Sequence, residues 1–172
     1  ALQGAVSEHC AALDSLNISN KEVRNTEDIR DIDGLIMPGG ESTTLRKLLV
    51  NANLWDLIMK SDMPIMGTCA GAILLGKSDD ITFEKMDYII DRNYYGRQID
   101  SFEEVLEIED YPDFRGVFIR APAITDIGKT QAIAYCKGNV VGCIEGKNMA
   151  LTFHPELTGD SYFHKMWIDA LD

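Results

Sequence analysis

The sequence predicts a three-layer α/β domain built on a mixed central sheet. Three observations carry this prediction. Short apolar runs alternate with amphipathic segments through the first half, the pattern of a parallel sheet covered on both faces. The second half is richer in strand-like runs, and its turns Lys137-Gly138-Asn139 and Gly146-Lys147-Asn148 mark antiparallel hairpins. The chain has 172 residues, 45% apolar and 26% charged, which is ordinary globular composition and enough to bury one full core. No linker, internal repeat or low-complexity tract divides it.

The elements follow in order. Ser7 to Leu16 reads as a helix, with Ala12, Leu13 and Leu16 near helical spacing. Gly34 to Met37 is a buried strand halted by the turn Pro38-Gly39-Gly40. Ser42 or Thr43 can cap a helix that runs through Val50, and Asn53 to Lys60 is a further helix. Pro64 to Gly67 is a second buried strand, followed at once by a helix from Ala70 to Leu75. Strands are expected at Tyr88–Ile90, Val105–Ile108, Val117–Ile119, Ala132–Cys136, Val140–Ile144 and Met149–Phe153. A closing helix spans Tyr162 to Leu171, capped by Asp160 or Ser161. Leu48, Leu49 and Met59 are assigned to the core, and Trp55 and Trp167 to helix packing or a partner surface.

Composition and charge exclude several functions. With 28 acidic and 16 basic side chains the net charge is −12, which argues against nucleic acid or an anionic membrane as partner. No apolar run approaches the roughly 18 residues of a membrane span. The first residues carry no basic, signal-like stretch. The cysteines at 10, 69, 136 and 143 form no Cys-x-x-Cys pair and complete no zinc knuckle. No metal or cofactor is expected. Free thiols in a cytoplasmic protein are the expectation.

The most informative stretch is Gly67-Thr68-Cys69-Ala70-Gly71. A small-residue turn joins a buried strand to a helix, with a nucleophile at its apex, which is the logic of a nucleophile elbow carried by cysteine. The helix N-terminus favours the thiolate form of such a residue. The same turn would also suit a buried structural cysteine.

In Phe153-His154-Pro155-Glu156-Leu157, Pro155 biases His154 toward extended backbone. Side chains at i and i+2 of an extended chain share one side. Glu156 can then hold the His154 imidazole in one tautomer, as an orienter does for a general base. A strand-end histidine beside a solvent-facing glutamate is the plainer alternative. His9 and His164 lie in amphipathic helical segments without a carboxylate at i+2 and are weaker candidates for the base.

Pro38-Gly39-Gly40-Glu41-Ser42-Thr43-Thr44 exposes backbone N–H groups after a strand, which suits an oxyanion hole or a plain turn and helix cap. It lacks the Gly-Lys-Ser/Thr ending of a phosphate loop. Arg92 and Arg120 each sit at a strand end, where ligands bind in open α/β sheets and where an arginine can hold a carboxylate. Surface ion pairing is the alternative for both. Asp79-Asp80 and Asp110 to Asp113 read as solvated loops.

Taken together, Gly-Thr-Cys-Ala-Gly followed by His-Pro-Glu resembles the class I, triad-type glutamine amidotransferases. Further segments narrow the resemblance. They are Leu2-Gln3-Gly4-Ala5, Pro38 to Thr44, Arg92-Asn93 through Tyr95-Gly96-Arg97-Gln98, Phe118-Ile119-Arg120-Ala121-Pro122 and His154-Pro155-Glu156-Leu157-Thr158. In this order they are similar to the glutaminase subunits of pyridoxal 5′-phosphate synthase.

The resemblance implies a class I amidotransferase-like, flavodoxin-like fold with a mostly parallel mixed sheet, covering residues 1–172 as one domain. It implies residues ahead of Ala1 that complete a first strand, and a longer segment than the one found at 77–87. Cys69 becomes the nucleophile, with His154 and Glu156 completing a triad. Gly40 and Ala70 supply the oxyanion hole. Gly40, Glu41, Ser42, Arg92, Ile119 and Arg120 bind glutamine. Gln3 responds to a partner subunit. The implied reaction hydrolyses L-glutamine through a cysteine thioester and passes the ammonia to a (β/α)8-barrel synthase subunit, which makes pyridoxal 5′-phosphate. Two alternatives stand beside it: the glutaminase subunit of another class I amidotransferase, and a catalytically silent subunit that only binds its partner.

Overall fold

The computed structural model describes residues 6–95 and 101–172. The chain opens with helix α1 (Val6–Ser15) and reaches strand β1 (Leu35–Met37) through a long irregular segment. Helices α2 (Ser42–Asn51) and α3 (Trp55–Lys60) lead to strand β2 (Ile65–Thr68) and helix α4 (Ala70–Leu75). Twelve of the thirteen expected elements lie where the sequence put them, within a residue or two. The cap of α2 does not: its N-cap is Glu41, whose carboxylate accepts from the Thr43 and Thr44 hydroxyls.

Strands β3 (Ile89–Asp91), β4 (Ser101–Val105), β5 (Arg115–Ile119) and β6 (Ala123–Asp126) follow. Strands β7 (Gln131–Cys136), β8 (Asn139–Glu145) and β9 (Asn148–Leu151) form the expected hairpins, and helix α5 (Tyr162–Asp169) closes the described chain. Lys137 and Gly138 both take positive φ, 50° and 79°, as a tight two-residue hairpin turn requires.

The central sheet has the order β1-β2-β9-β8-β7. It is mixed in two halves. β1, β2 and β9 run parallel, whereas β9, β8 and β7 are antiparallel. Two short ladders, β3 with β6 and β4 with β5, lie outside it. Alternation along β2 distributes its side chains between two cores. Ile65 joins the core under α2, α3 and α4, and Met66 joins the core that holds Phe163 and Trp167 of α5.

Two further expectations need correction, and one strand is new. The strand set at Val105–Ile108 lies earlier, at β4, because Phe102 stacks on Phe118 of β5 with ring centroids 4.6 Å apart. The acidic pair Glu103-Glu104 hides that strand in the sequence. Strand β6 was not anticipated; its outer half is polar and only pairing with β3 selects it. Met59 is exposed, not core. The two tryptophans do pack helices: Trp55 stacks on Phe83, and Trp167 is buried with Nε1–H donating to the Lys147 carbonyl.

Candidate active site

Cys69 stands between β2 and α4 with φ 50° and ψ −105°. That conformation is unfavourable for a residue with a Cβ and persists only when its surroundings impose it. Here they do. The Cys69 N–H donates to the Leu151 carbonyl of β9 at 2.8 Å, and its carbonyl accepts from Ile73 N–H at 3.2 Å. The flanking glycines let helix and sheet meet. A methyl group on Gly71 would overlap the Met37 carbonyl, and one on Gly67 would stand 2.6 Å from the Gly71 backbone. The small residues of the motif are therefore a steric demand of the turn.

His154 follows β9 and is anchored to β5 by its N–H, which donates to the Val117 carbonyl at 2.8 Å. Its φ of −106° and ψ of 88° lie outside the helical region, which the following proline disfavours. Residues Pro155–Leu157 then form one turn of 3₁₀ helix instead of continuing as a strand. This turn, and not strand periodicity, brings the Glu156 carboxylate back to the ring. His154 Nδ1 and Glu156 Oε1 are 2.7 Å apart, and the Glu156 side chain has 0% exposure.

Burial alone would lower the His154 pKa. The hydrogen bonds and negative charge of Cys69 and Glu156 outweigh it and raise the value to about 10. The imidazole is thus poised as a cation between a sulfur and a carboxylate. The Cys69 thiol also lies 3.7 Å from the Ile119 carbonyl, so the end of β5 closes one side of the site.

The glycine loop closes another. A methyl group on Gly39 would overlap His154 Cε1 and come within 3.1 Å of Nδ1 and 3.2 Å of Nε2. Gly40 takes φ +128°, and a Cβ there would meet open space. The Gly40 Cα therefore faces open space, one residue from the glycine that touches the His154 ring. The resemblance names only Gly40 of the doublet, whereas Gly39 is the glycine packed against the ring. Ser42 is buried at the first turn of α2, beside the Glu41 cap.

Arg92 sits just beyond β3, with its guanidinium 3.8 Å from Asp79 and 3.6 Å from Asp80. Asp80 also lies 3.6 Å from Arg46 and its side chain is only 20% exposed. The expectation of a solvated loop holds for Asp79 and fails for Asp80, which is drawn in between two guanidinium groups. Arg120 is exposed just beyond β5, with a left-handed φ of 44°. Gln3 and the segment Gly96-Arg97-Gln98 lie outside the described residues.

Two histidines set aside on sequence grounds are buried directly behind this site. His9 of α1 and His164 of α5 face each other with Nδ1 and Nε2 2.8 Å apart. Their signal was tertiary: neither has a carboxylate at i+2, yet His9 Nε2 is 3.5 Å from Glu156 Oε2.

Comparison with known proteins identifies the family. The chain is 46% identical over 167 residues to the pyridoxal 5′-phosphate synthase subunit PdxT of Methanocaldococcus jannaschii, covering 94% of this chain and 90% of that protein. It is 42% identical over 178 residues to the PdxT of Brevibacillus brevis, covering 98% and 93%. A crystal structure of a glutamine amidotransferase superimposes with a TM-score of 0.91 at 38% identity, over 99% of this chain and 95% of that one. PurLQS from Thermotoga maritima shares the fold alone, with a TM-score of 0.67 at 14% identity over 98% and 92% of the two chains. The model of the SNO glutamine amidotransferase family matches residues 1–172, and the chain belongs to that family.

Proposed function

We propose that the chain is the glutaminase subunit of a pyridoxal 5′-phosphate synthase, acting in the cytoplasm as a single domain. It hydrolyses L-glutamine to L-glutamate and ammonia and hands the ammonia to a (β/α)8-barrel synthase subunit. The observation that carries this reading is the strained Cys69 beside a buried His154 whose Nδ1 is held 2.7 Å from Glu156. Family membership and the PdxT relatives support the substrate and the destination of the ammonia.

Each residue has one task in this mechanism. The Cys69 sulfur attacks the side-chain amide carbon of glutamine. The N–H groups of Gly40 and Ala70 receive the developing oxyanion; donors fixed in advance are worth several kcal/mol, roughly 10²- to 10³-fold in rate per donor. The cationic His154 gives its proton to the leaving nitrogen, ammonia departs, and a glutamyl thioester remains on Cys69. His154, now neutral, takes a proton from water as the water attacks the thioester. Glutamate leaves, and sulfur and imidazolium return to their first state. Glu156 keeps the imidazole oriented throughout. Glu41, Ser42, Arg92, Ile119 and Arg120 hold the amino-acid end of glutamine, and Gln3 senses the partner.

Channelling follows from acid–base chemistry. Released ammonia is mostly protonated at neutral pH and no longer nucleophilic, so a protected path preserves its reactivity. The test is glutamate release by the chain alone and with the barrel subunit added, with Cys69→Ala as blank. Release that rises with the partner and vanishes in the variant is expected. No release from folded protein in either condition would sink the reading.

A further inference from the structure

The pairing with His154 uses one oxygen of the Glu156 carboxylate. The other, Oε2, is buried and has no hydrogen-bond partner at ordinary range. His9 Nε2 stands 3.5 Å from it and 3.2 Å from the Thr68 hydroxyl. On its other side, His9 Nδ1 meets His164 Nε2 at 2.8 Å. His9 is 3% exposed, and His164 and Thr68 are fully buried at 0%. One ring thus touches both halves of the site: Thr68 immediately precedes Cys69, and Glu156 orients His154.

The proton arrangement in this cluster can be deduced. One hydrogen lies between the two rings. If His9 Nδ1 carried it, a neutral His9 would turn the lone pair of Nε2 toward the Glu156 carboxylate. A neutral His164 would then carry its own proton on Nδ1, a buried atom without a partner. Both features are unfavourable. If His164 Nε2 carries the hydrogen, it donates to His9 Nδ1. His9 Nε2–H then points at Glu156 Oε2 and Thr68 Oγ1, and the atom left over is an acceptor on His164.

We infer that His9 and His164 are positioning residues for the proposed glutaminase reaction: a neutral imidazole pair in which His164 Nε2–H donates to His9 Nδ1 and His9 Nε2–H is directed at Glu156 Oε2 and the Thr68 hydroxyl. The inference rests on the role proposed for Glu156. Burial lowers His9 to about 3, with help from the nearby His164 and His154, and burial lowers His164 to about 4. Neutrality matters for function. A cationic His9 would compete with His154 for the same carboxylate and weaken the imidazolium on which ammonia release depends. A neutral N–H fixes the carboxylate and leaves its charge to His154.

Two measurements test this on the full chain. Long-range ¹H–¹⁵N spectra of the imidazoles at pH 7 should show both His9 and His164 neutral with the proton on Nε2. A proton on His9 Nδ1 alone, or a cationic His9, overturns the inference whether or not the protein hydrolyses glutamine. The second measurement is glutaminase kinetics with the barrel subunit for wild type, His9→Gln and His9→Leu, alongside iodoacetamide alkylation of Cys69. Gln retains an N–H donor near the position of Nε2; Leu does not. His9→Leu should lower kcat about tenfold or more with KM nearly unchanged, and slow alkylation, while His9→Gln restores much of both. Wild-type kcat in folded His9→Leu overturns the inference, as does equal loss in both variants with alkylation unchanged. If wild type releases no glutamate, the glutaminase reading fails, and the spectra still decide the proton arrangement. They also decide it if His9→Leu does not fold.

Discussion

Gly39 lies against the His154 imidazole, so close that a methyl group on it would overlap Cε1 of the ring. The glycine loop and the ring therefore fix each other's position. Gly39→Ala should displace the imidazole from the Cys69 sulfur by a substantial fraction of an ångström. Misplacement on that scale costs on the order of 10²-fold in rate. Glutaminase kcat should fall by about that factor, with a far smaller change in thermal midpoint. Unchanged kcat would mean the loop yields freely.

Gly71 has the same steric character and a different consequence. Its added methyl would meet the Met37 carbonyl, which is backbone in the neighbouring strand and cannot rotate away. Gly71→Ala should destabilise the fold by about 1–3 kcal/mol or more, the cost of overpacking a tight core. Urea denaturation followed by circular dichroism measures it, and a midpoint equal to wild type would contradict the packing described.

The histidines predict how stability depends on pH, and their signs oppose. His154 is raised to about 10, so the folded state binds the extra proton above the ordinary histidine value of 6.5. Its contribution is complete below 6.5 and is lost as pH rises toward 10. His9 and His164 are lowered to about 3 and about 4, so the unfolded state binds more protons below 6.5. Their contribution is complete above 6.5 and is lost as pH falls toward those values. Stability should peak near pH 6.5. Urea midpoints between pH 4 and 10 test this, and a flat profile would contradict the protonation states assigned to the cluster.

Much of this site was legible in the sequence, and the exceptions share a cause. The Cys69 elbow could be read because its chemistry and sterics are local: glycines, a nucleophile and a helix start follow within a few residues. The pairing of His154 with Glu156 could be read from their spacing, though for the wrong geometry, since a 3₁₀ turn and not a strand joins them. His9, His164 and Asp80 could not be read. Each acquires its partner through tertiary packing, across separations that leave no local pattern. Strand β6 escaped for the same reason, because pairing with β3 and not its own apolar content makes it a strand. Gly96-Arg97-Gln98 and Gln3, which carried part of the resemblance, lie outside the described residues.

Glu156→Gln keeps the shape of the orienter and removes its charge. The His154 imidazolium loses one of the two groups that raise its pKa, so that value should fall from about 10 toward 6.5. The glutaminase rate should fall by roughly 10²- to 10⁴-fold, the range over which a misoriented or mistuned general acid and base acts. Iodoacetamide alkylation of Cys69 as a function of pH reports the shift. A profile identical to wild type would remove Glu156 from the mechanism.

Asp80 offers a test of substrate binding apart from chemistry. It stands 3.6 Å from both Arg46 and Arg92 and holds the Arg92 guanidinium at the end of β3. Asp80→Asn should loosen Arg92 and raise KM for glutamine several-fold while leaving kcat nearly unchanged, the signature of lost uniform binding. A fall in kcat with constant KM would assign Arg92 a role other than holding the substrate.

The seam between β2 and β9 has a consequence for the birth of the protein. Cys69 is held by the Leu151 carbonyl, and the residues proposed as its base and orienter follow β9 directly, so His154 lies 85 residues beyond the cysteine it serves. A growing polypeptide displays its cysteine long before residues 149–156 exist to hold or activate it. Contacts of such sequence separation form late, because loop closure must precede them. On the proposed mechanism the nascent chain carries an inert thiol, and glutamine cleavage begins only when β9 has docked. Assembly of the fold and onset of catalysis are one event.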